Sequence, residues 1–282
     1  MIAAIAREFV VVDNRRVSCL IANRADGARA VVFLHAFPLN AEMWRAQLAN
    51  LPPGWMGLAP DFRGFGESDP DRADGFRNGD AQLADYARDV VGILDHFQVS
   101  RAVVCGCSMG GYTQFAMHRE WADRIAGLVL VDTRATADTP EGRTGRQAML
   151  DMLDDAGPDA VAKQMLPKLV GATTMATRPG VVADVAAMTA KPTASGVGHA
   201  VVHMMNRQDA TARLGTIACP TMIVLGEEDV LIPLEDAAAL QMGIPGASLV
   251  LVPKAGHLPN LEQPELFNEM LRAFLDELVP GA

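Results

Sequence analysis

Ser108 is the residue on which chemistry can be hung. It sits in Gly106-Cys107-Ser108-Met109-Gly110, after an apolar run over residues 102–105 that reads as a buried strand and before a helix-compatible stretch. A sharp strand-to-helix turn lifts a serine hydroxyl above the sheet edge, and the flanking glycines let the chain fold back without Cβ clashes. The helix that follows aims its first N–H groups at the same spot, which favours a developing negative charge. The pentapeptide alone equally describes a glycine-rich turn with an ordinary serine. A working serine needs a base, an acid that orients the base, and donors for an oxyanion.

In a parallel sheet such groups sit just beyond the carboxyl ends of strands. His257, in Gly256-His257-Leu258, follows a strand expected at 248–252 and is the candidate base. Asp229, in Gly226-Glu227-Glu228-Asp229, follows the strand at 221–225 and is the candidate acid. Asp132 follows the strand at 126–131 and competes for the same role; the Gly-x-x-Asp turn favours Asp229. The backbone N–H groups of Met109 and Phe37 are the candidate oxyanion donors. His35 and Ala36, after the strand at 31–34, are expected to border the substrate, with His35 anchoring the oxyanion loop by a hydrogen bond.

Other polar residues invite a structural reading. Asp61 and Arg63 are expected to pair with each other and brace their loop, and Glu227 and Glu228 to be solvated. His199 and His203 are four apart on an expected helix, a spacing that metal sites use, but no H-E-x-x-H pattern or nearby acid accompanies them, so no metal is expected.

The elements that must hold these groups alternate. A hairpin at 9–12 and 17–21 opens the chain around Asp13-Asn14, and strands follow at 31–34, 58–61, 102–105, 126–131, 221–225 and 248–252. Between them lie a short helix capped by Asn40, a loop at 70–80, an amphipathic helix capped by Asp80, a helix near Pro233 and a last one from Pro264. The alternation argues for an α/β fold: a mostly parallel sheet flanked by helices. From Arg134 to Leu214 no strand is expected; helices start near Pro140, Pro158, Pro179 and Thr193. Seven of the 15 methionines fall there (Met149, Met152, Met165, Met175, Met188, Met204 and Met205), and such residues suit an adaptable apolar pocket or the segment's own core.

The order Ser, Asp, His, with Asp61-Phe62-Arg63-Gly64-Phe65-Gly66-Glu67-Ser68 and Ala255-Gly256-His257, resembles the α/β-hydrolase superfamily along nearly the whole chain. The similarity is greatest to its cofactor-free serine esterase and lactonase branch, which includes 3-oxoadipate enol-lactonase-like proteins. The resemblance implies a core at 1–133 and 215–282, a helical cap at 134–214 inserted after the sixth strand, and no cofactor. One departure is Ala36, where that branch usually has glycine; a methyl group there is expected to narrow the pocket or shift the loop.

The implied reaction is hydrolysis of a carboxylic ester or lactone of a small, largely apolar molecule through an acyl-enzyme. The same three residues also serve perhydrolysis, amide or carbon–carbon bond cleavage, and slow-turnover sensing of a small molecule that signals to a partner. A formal net charge of -10 without a long basic tract argues against nucleic acid or an anionic membrane surface as partner. Cys19, Cys105, Cys107 and Cys219 form no C-x-x-C pair and lie in or beside apolar runs, so buried reduced thiols are expected. No basic, apolar leader and no membrane-length run is present, which makes the cytoplasm the default expectation.

Overall fold

The computed structural model describes residues 4–25, 27–71, 82–189 and 192–278. Asp13 and Asn14 both take left-handed backbone conformations (φ 48° and 60°). This two-residue turn joins β1 (Ile5–Val12) to β2 (Arg15–Ala22), as such a turn does when its twist matches that of the strands. Six further strands follow: β3 (Arg29–Leu34), β4 (Trp55–Pro60), β5 (Ala102–Cys107), β6 (Ile125–Val131), β7 (Thr221–Gly226) and β8 (Ser248–Val252). They form one eight-stranded sheet in the order β1-β2-β4-β3-β5-β6-β7-β8. β2 runs antiparallel to both its neighbours, and every other pairing is parallel.

The continuous apolar runs are explained by cover on both faces. Val32, Leu34, Val104, Leu128 and Leu130 enter one core, whereas Val31, Phe33, Val103, Cys105 and Val129 enter the other. The helices that supply this cover are α1 (Arg45–Ala49), α2 (Leu83–His96), α3 (Met109–Trp121), α4 (Pro140–Ala156), α5 (Pro158–Leu169), α6 (Ala172–Thr177), α7 (Pro179–Thr189), α8 (Ala194–Met205), α9 (Leu234–Gly243), α10 (Pro259–Glu262) and α11 (Pro264–Glu277). Five of them, α4 to α8, lie in the connection between β6 and β7. Thr139 and Thr193 start α4 and α8 by accepting the N–H groups of Gly142 and Gly196 at 3.1 and 3.0 Å. Proline occupies the first turn of α4 and α5. No helix of the described residues is long and apolar enough to cross a membrane.

Two expectations change. Asp61 and Arg63 are ion-paired, but not with each other. Asp61 pairs with Arg7 at 3.0 Å and accepts the N–H groups of Ala41 (2.8 Å) and Glu67 (3.1 Å), while Arg63 pairs with Asp89 at 2.6 Å and Asp71 at 2.7 Å. Partners distant in sequence outcompete the neighbour two residues away, because the turn faces one side chain toward β1 and the other toward α2. Glu228 is not simply solvated: its carboxylate accepts the N–H of Thr173 (2.8 Å) and the hydroxyl of the same residue (2.5 Å). The Asp80 cap and most of the loop at 70–80 lie outside the described residues; α2 begins at Leu83, with the Asp85 carboxylate accepting the N–H of Gln82 at 3.2 Å.

Candidate active site

β5, β6, β7 and β8 are neighbours in the sheet, and each carries one candidate just past its carboxyl end: Ser108, Asp132, Asp229 and His257, respectively. Parallel strands therefore bring together four residues scattered over 150 positions of the chain.

Ser108 adopts φ 54° and ψ -109°, a conformation that L-residues rarely take and that is kept where the surroundings over-determine it. Its N–H donates to the carbonyl of Val131 (2.9 Å). Its own carbonyl accepts the hydroxyl of Thr133 (3.0 Å) and the N–H of Tyr112 (3.1 Å). The two motif glycines are demanded by close backbone approach. A Cβ at Gly106 would lie 2.6 Å from the backbone of Gly110, and one at Gly110 would strike the carbonyl of Leu34. Met109 is the first residue of α3 and is fully buried.

The imidazole of His257 donates Nδ1–H to Oδ2 of Asp229 at 2.8 Å, which leaves Nε2 as the ring's free lone pair. Oδ1 of Asp229 accepts the N–H of Leu231 at 2.7 Å. Burial pushes the Asp229 carboxyl up, but the adjoining imidazole and these hydrogen bonds outweigh it and hold the group below its ordinary value. Asp132 is the opposite case: burial, then the charge of Asp229, push it well above the carboxylate range.

Glu262, which carried no sequence signal, fastens the histidine loop. It is fully buried, and its carboxylate accepts the N–H groups of Gly256 (2.9 Å), Leu258 (3.3 Å) and Gly171 (2.8 Å). The Cys107 thiol donates to the His257 carbonyl at 3.4 Å and so ties β5 to the same loop. Cys19, Cys105 and Cys107 are buried free thiols, and Cys219 is part-buried.

Ser108, His257 and Phe37 line a cavity of about 470 Å³, within the range usual for small-molecule sites. Of the seven methionines considered above, Met149, Met165 and Met204 reach it. So do Arg134, Arg146, Lys168 and Arg207, accompanied by one acid, Asp138. These charges had not been foreseen: the lining mixes apolar side chains with four cations and one acid. Asp138 bridges Arg146 (2.5 Å) and Arg207 (2.6 Å), and Arg207 lies over the ring of Tyr112 at 4.4 Å.

His35 and Ala36 do not line this cavity. His35 is fully buried, with Nδ1–H donating to the Ala36 carbonyl (3.0 Å) and Nε2 accepting the N–H of Phe62 (2.9 Å). The Ala36 methyl enters the core beside Met43 and Trp44, so it fills protein interior rather than narrowing the pocket. His199 and His203 are buried on α8. His199 faces Ser195, and His203 packs edge-on against Tyr86 with Asp71 at 3.8 Å, an acidic neighbour that the linear sequence concealed.

A family model for the alpha/beta hydrolase fold matches residues 29–264. A protein of Variovorax paradoxus named as a carbamate hydrolase, RutD, is 31% identical over 271 residues, 91% of this chain and 95% of its own length. A solved thermophilic esterase from Thermogutta terrifontis, described as malate bound, is 32% identical, with a TM-score of 0.87 over 97% of this chain and 99% of its own. The enol-lactonase of Burkholderia xenovorans is 26% identical, with a TM-score of 0.85 over 95% of this chain and all of its own (100%). With its sheet order, its strained serine turn and this match, the chain belongs to the α/β-hydrolase fold family.

Proposed function

We propose that this hydrolase cleaves a carboxylic ester or lactone by acyl transfer through Ser108. The observation that carries the reading is that Ser108 and His257 face one cavity while Asp229 holds the other ring nitrogen of His257. Nε2 of His257 takes the Ser108 hydroxyl proton as Oγ bonds to the substrate carbonyl carbon. The backbone N–H groups of Phe37 and Met109 receive the oxyanion, each such donor being worth about 10²–10³ in turnover. As the tetrahedral intermediate collapses, the carbon–oxygen bond to the leaving group breaks and His257 returns the proton to the departing oxygen. Water, deprotonated by the same Nε2, then releases the acid and restores Ser108.

Residues 134–214 act as a cap over the core formed by 1–133 and 215–282, and they supply most of what touches the substrate beyond its carbonyl. The lining, in which Met149, Met165 and Met204 accompany Arg146, Lys168 and Arg207, favours a molecule that carries both apolar surface and an anionic group, rather than a wholly apolar one. A relative described as malate bound supports the anionic part of that reading, and an enol-lactonase relative supports the lactone class. Carbamates are a second class that the same steps can open, and the Variovorax relative carries that name.

Initial rates on neutral esters, carboxylate-bearing esters, lactones and aryl carbamates, for the wild type and Ser108→Ala, test the proposal. Turnover that falls by orders of magnitude in Ser108→Ala supports it. Near wild-type hydrolysis by that variant, with its fold intact, overturns it.

A further inference from the structure

Asp132 has no part in the steps above, yet it stands directly behind them. One carboxyl oxygen of Asp132, one of Asp229 and one ring nitrogen of His257 all lie within 4.8 Å of one another. The residue is 1% exposed and is held at φ 43°, just beyond the end of β6. Its N–H donates to the carbonyl of Val224, and its Oδ1 accepts the N–H of Gly226, each at 2.9 Å. Oδ2 is buried and receives no hydrogen bond among the described residues.

The titratable groups that face it are Asp229, His257, the fully buried Glu262 and the Cys107 thiol. Among the described residues, no arginine or lysine forms an ion pair with it. As an anion Asp132 would bring a second negative charge beside Asp229 in a dry site, with one of its oxygens unpaired, which is costly. As an acid the same oxygen becomes a donor, and Asp229 is the acceptor within reach.

We infer that Asp132 is kept as a neutral carboxylic acid that donates its Oδ2–H to the Asp229 carboxylate, making it a positioning residue for the Asp229–His257 pair. The inference rests on the serine-hydrolase reading for its effect on rate, but not for the protonation itself. A donor on Asp229 withdraws part of the charge that Asp229 offers to Nδ1–H of His257. Loss of that donor should therefore leave more charge on Asp229 and make the imidazole easier to protonate. Burial and the neighbouring acid push Asp132 in the direction this requires.

Two measurements test it. Infrared difference spectra of the wild type at pH 7, in light and heavy water, should show a protonated-carboxyl stretch that disappears in Asp132→Asn; surface acids are ionised at that pH and do not contribute. The second is the acidic limb of kcat/KM against pH. An asparagine keeps the Gly226 acceptor and offers an amide N–H in place of the acid proton. Its limb should lie between the wild-type midpoint and that of Asp132→Ala while kcat falls roughly threefold to tenfold, because the amide is the weaker donor. Asp132→Ala, which leaves Asp229 without that donor, should move the midpoint upward by about half a pH unit or more and lower kcat by about tenfold to a hundredfold. If Asp132→Ala fails to fold, the wild-type spectrum and Asp132→Asn still decide. The inference is overturned if the band is absent, or if Asp132→Asn moves the midpoint downward by about a unit, as loss of a real negative charge beside His257 requires. A Ser108→Ala enzyme that remains active would refute the catalytic reading alone and leave the infrared result to judge Asp132.

Discussion

The imidazole of His35 accepts the backbone N–H of Phe62 at 2.9 Å, and only a neutral ring can do so. Burial, the largest influence, holds His35 near a pKa of about 4, and it does the same to His203 on α8. Both values lie below the ordinary 6.5, so between about pH 6.5 and 4 the unfolded chain binds protons that the native state refuses. Stability should therefore fall as the pH drops through that window, by on the order of 1 kcal/mol per pH unit for each histidine, and these two groups contribute no slope above it. Urea unfolding at pH 7.5, 5.5 and 4.5 is the check, and an unfolding free energy that stays level across the three would refute it.

Gly110→Ala should disable the enzyme through its backbone. The added methyl meets the carbonyl of Leu34, so β3 and the turn must part. A loss of about 1–3 kcal/mol in stability and at least tenfold in kcat is expected. Thermal melts beside single-turnover rates measure both, and an unshifted melt would show that the turn has more room than its contacts suggest.

Glu262→Ala leaves the N–H groups of Gly256, Leu258 and Gly171 without their buried acceptor. The expected cost is about 3 kcal/mol in stability, together with a drop in kcat as His257 loses its anchorage. Denaturant titration should detect the former, and Glu262→Gln should recover part of it.

Charge selectivity should reside in the cationic lining. Arg146→Gln should raise KM about tenfold for a carboxylate-bearing ester and leave KM for its uncharged analogue within about twofold. Exposed Lys168 should matter less, a few-fold at most for Lys168→Ala. Equal effects of either substitution on both substrates would remove the case for an anionic group.

Much of this arrangement was legible in the chain. Apolar runs over 102–105 and 126–131 mark strands because both sheet faces are covered, and Pro140 and Thr193 mark helix starts, at which the structure finds threonine caps. Asp229 and His257 could be named because each follows such a strand. What escaped depends on partners far apart in sequence. Arg7 claims Asp61 from 54 positions away, and Asp138 joins Arg207 across 69. No local pattern encodes those distances. The short α6 was not anticipated either: Gly171-Ala172-Thr173-Thr174 has weak helical preference, and Glu228 holds its first turn by accepting from Thr173.

The connection between β6 and β7 supplies Met149, Met165 and Lys168 to the cavity but none of the reacting groups proposed above. On the proposed reaction, bond-breaking and discrimination are thus written in separate passages of one polypeptide. Substitution, shortening or exchange within the inserted passage should then redirect this protein to new molecules while the reaction itself is inherited intact.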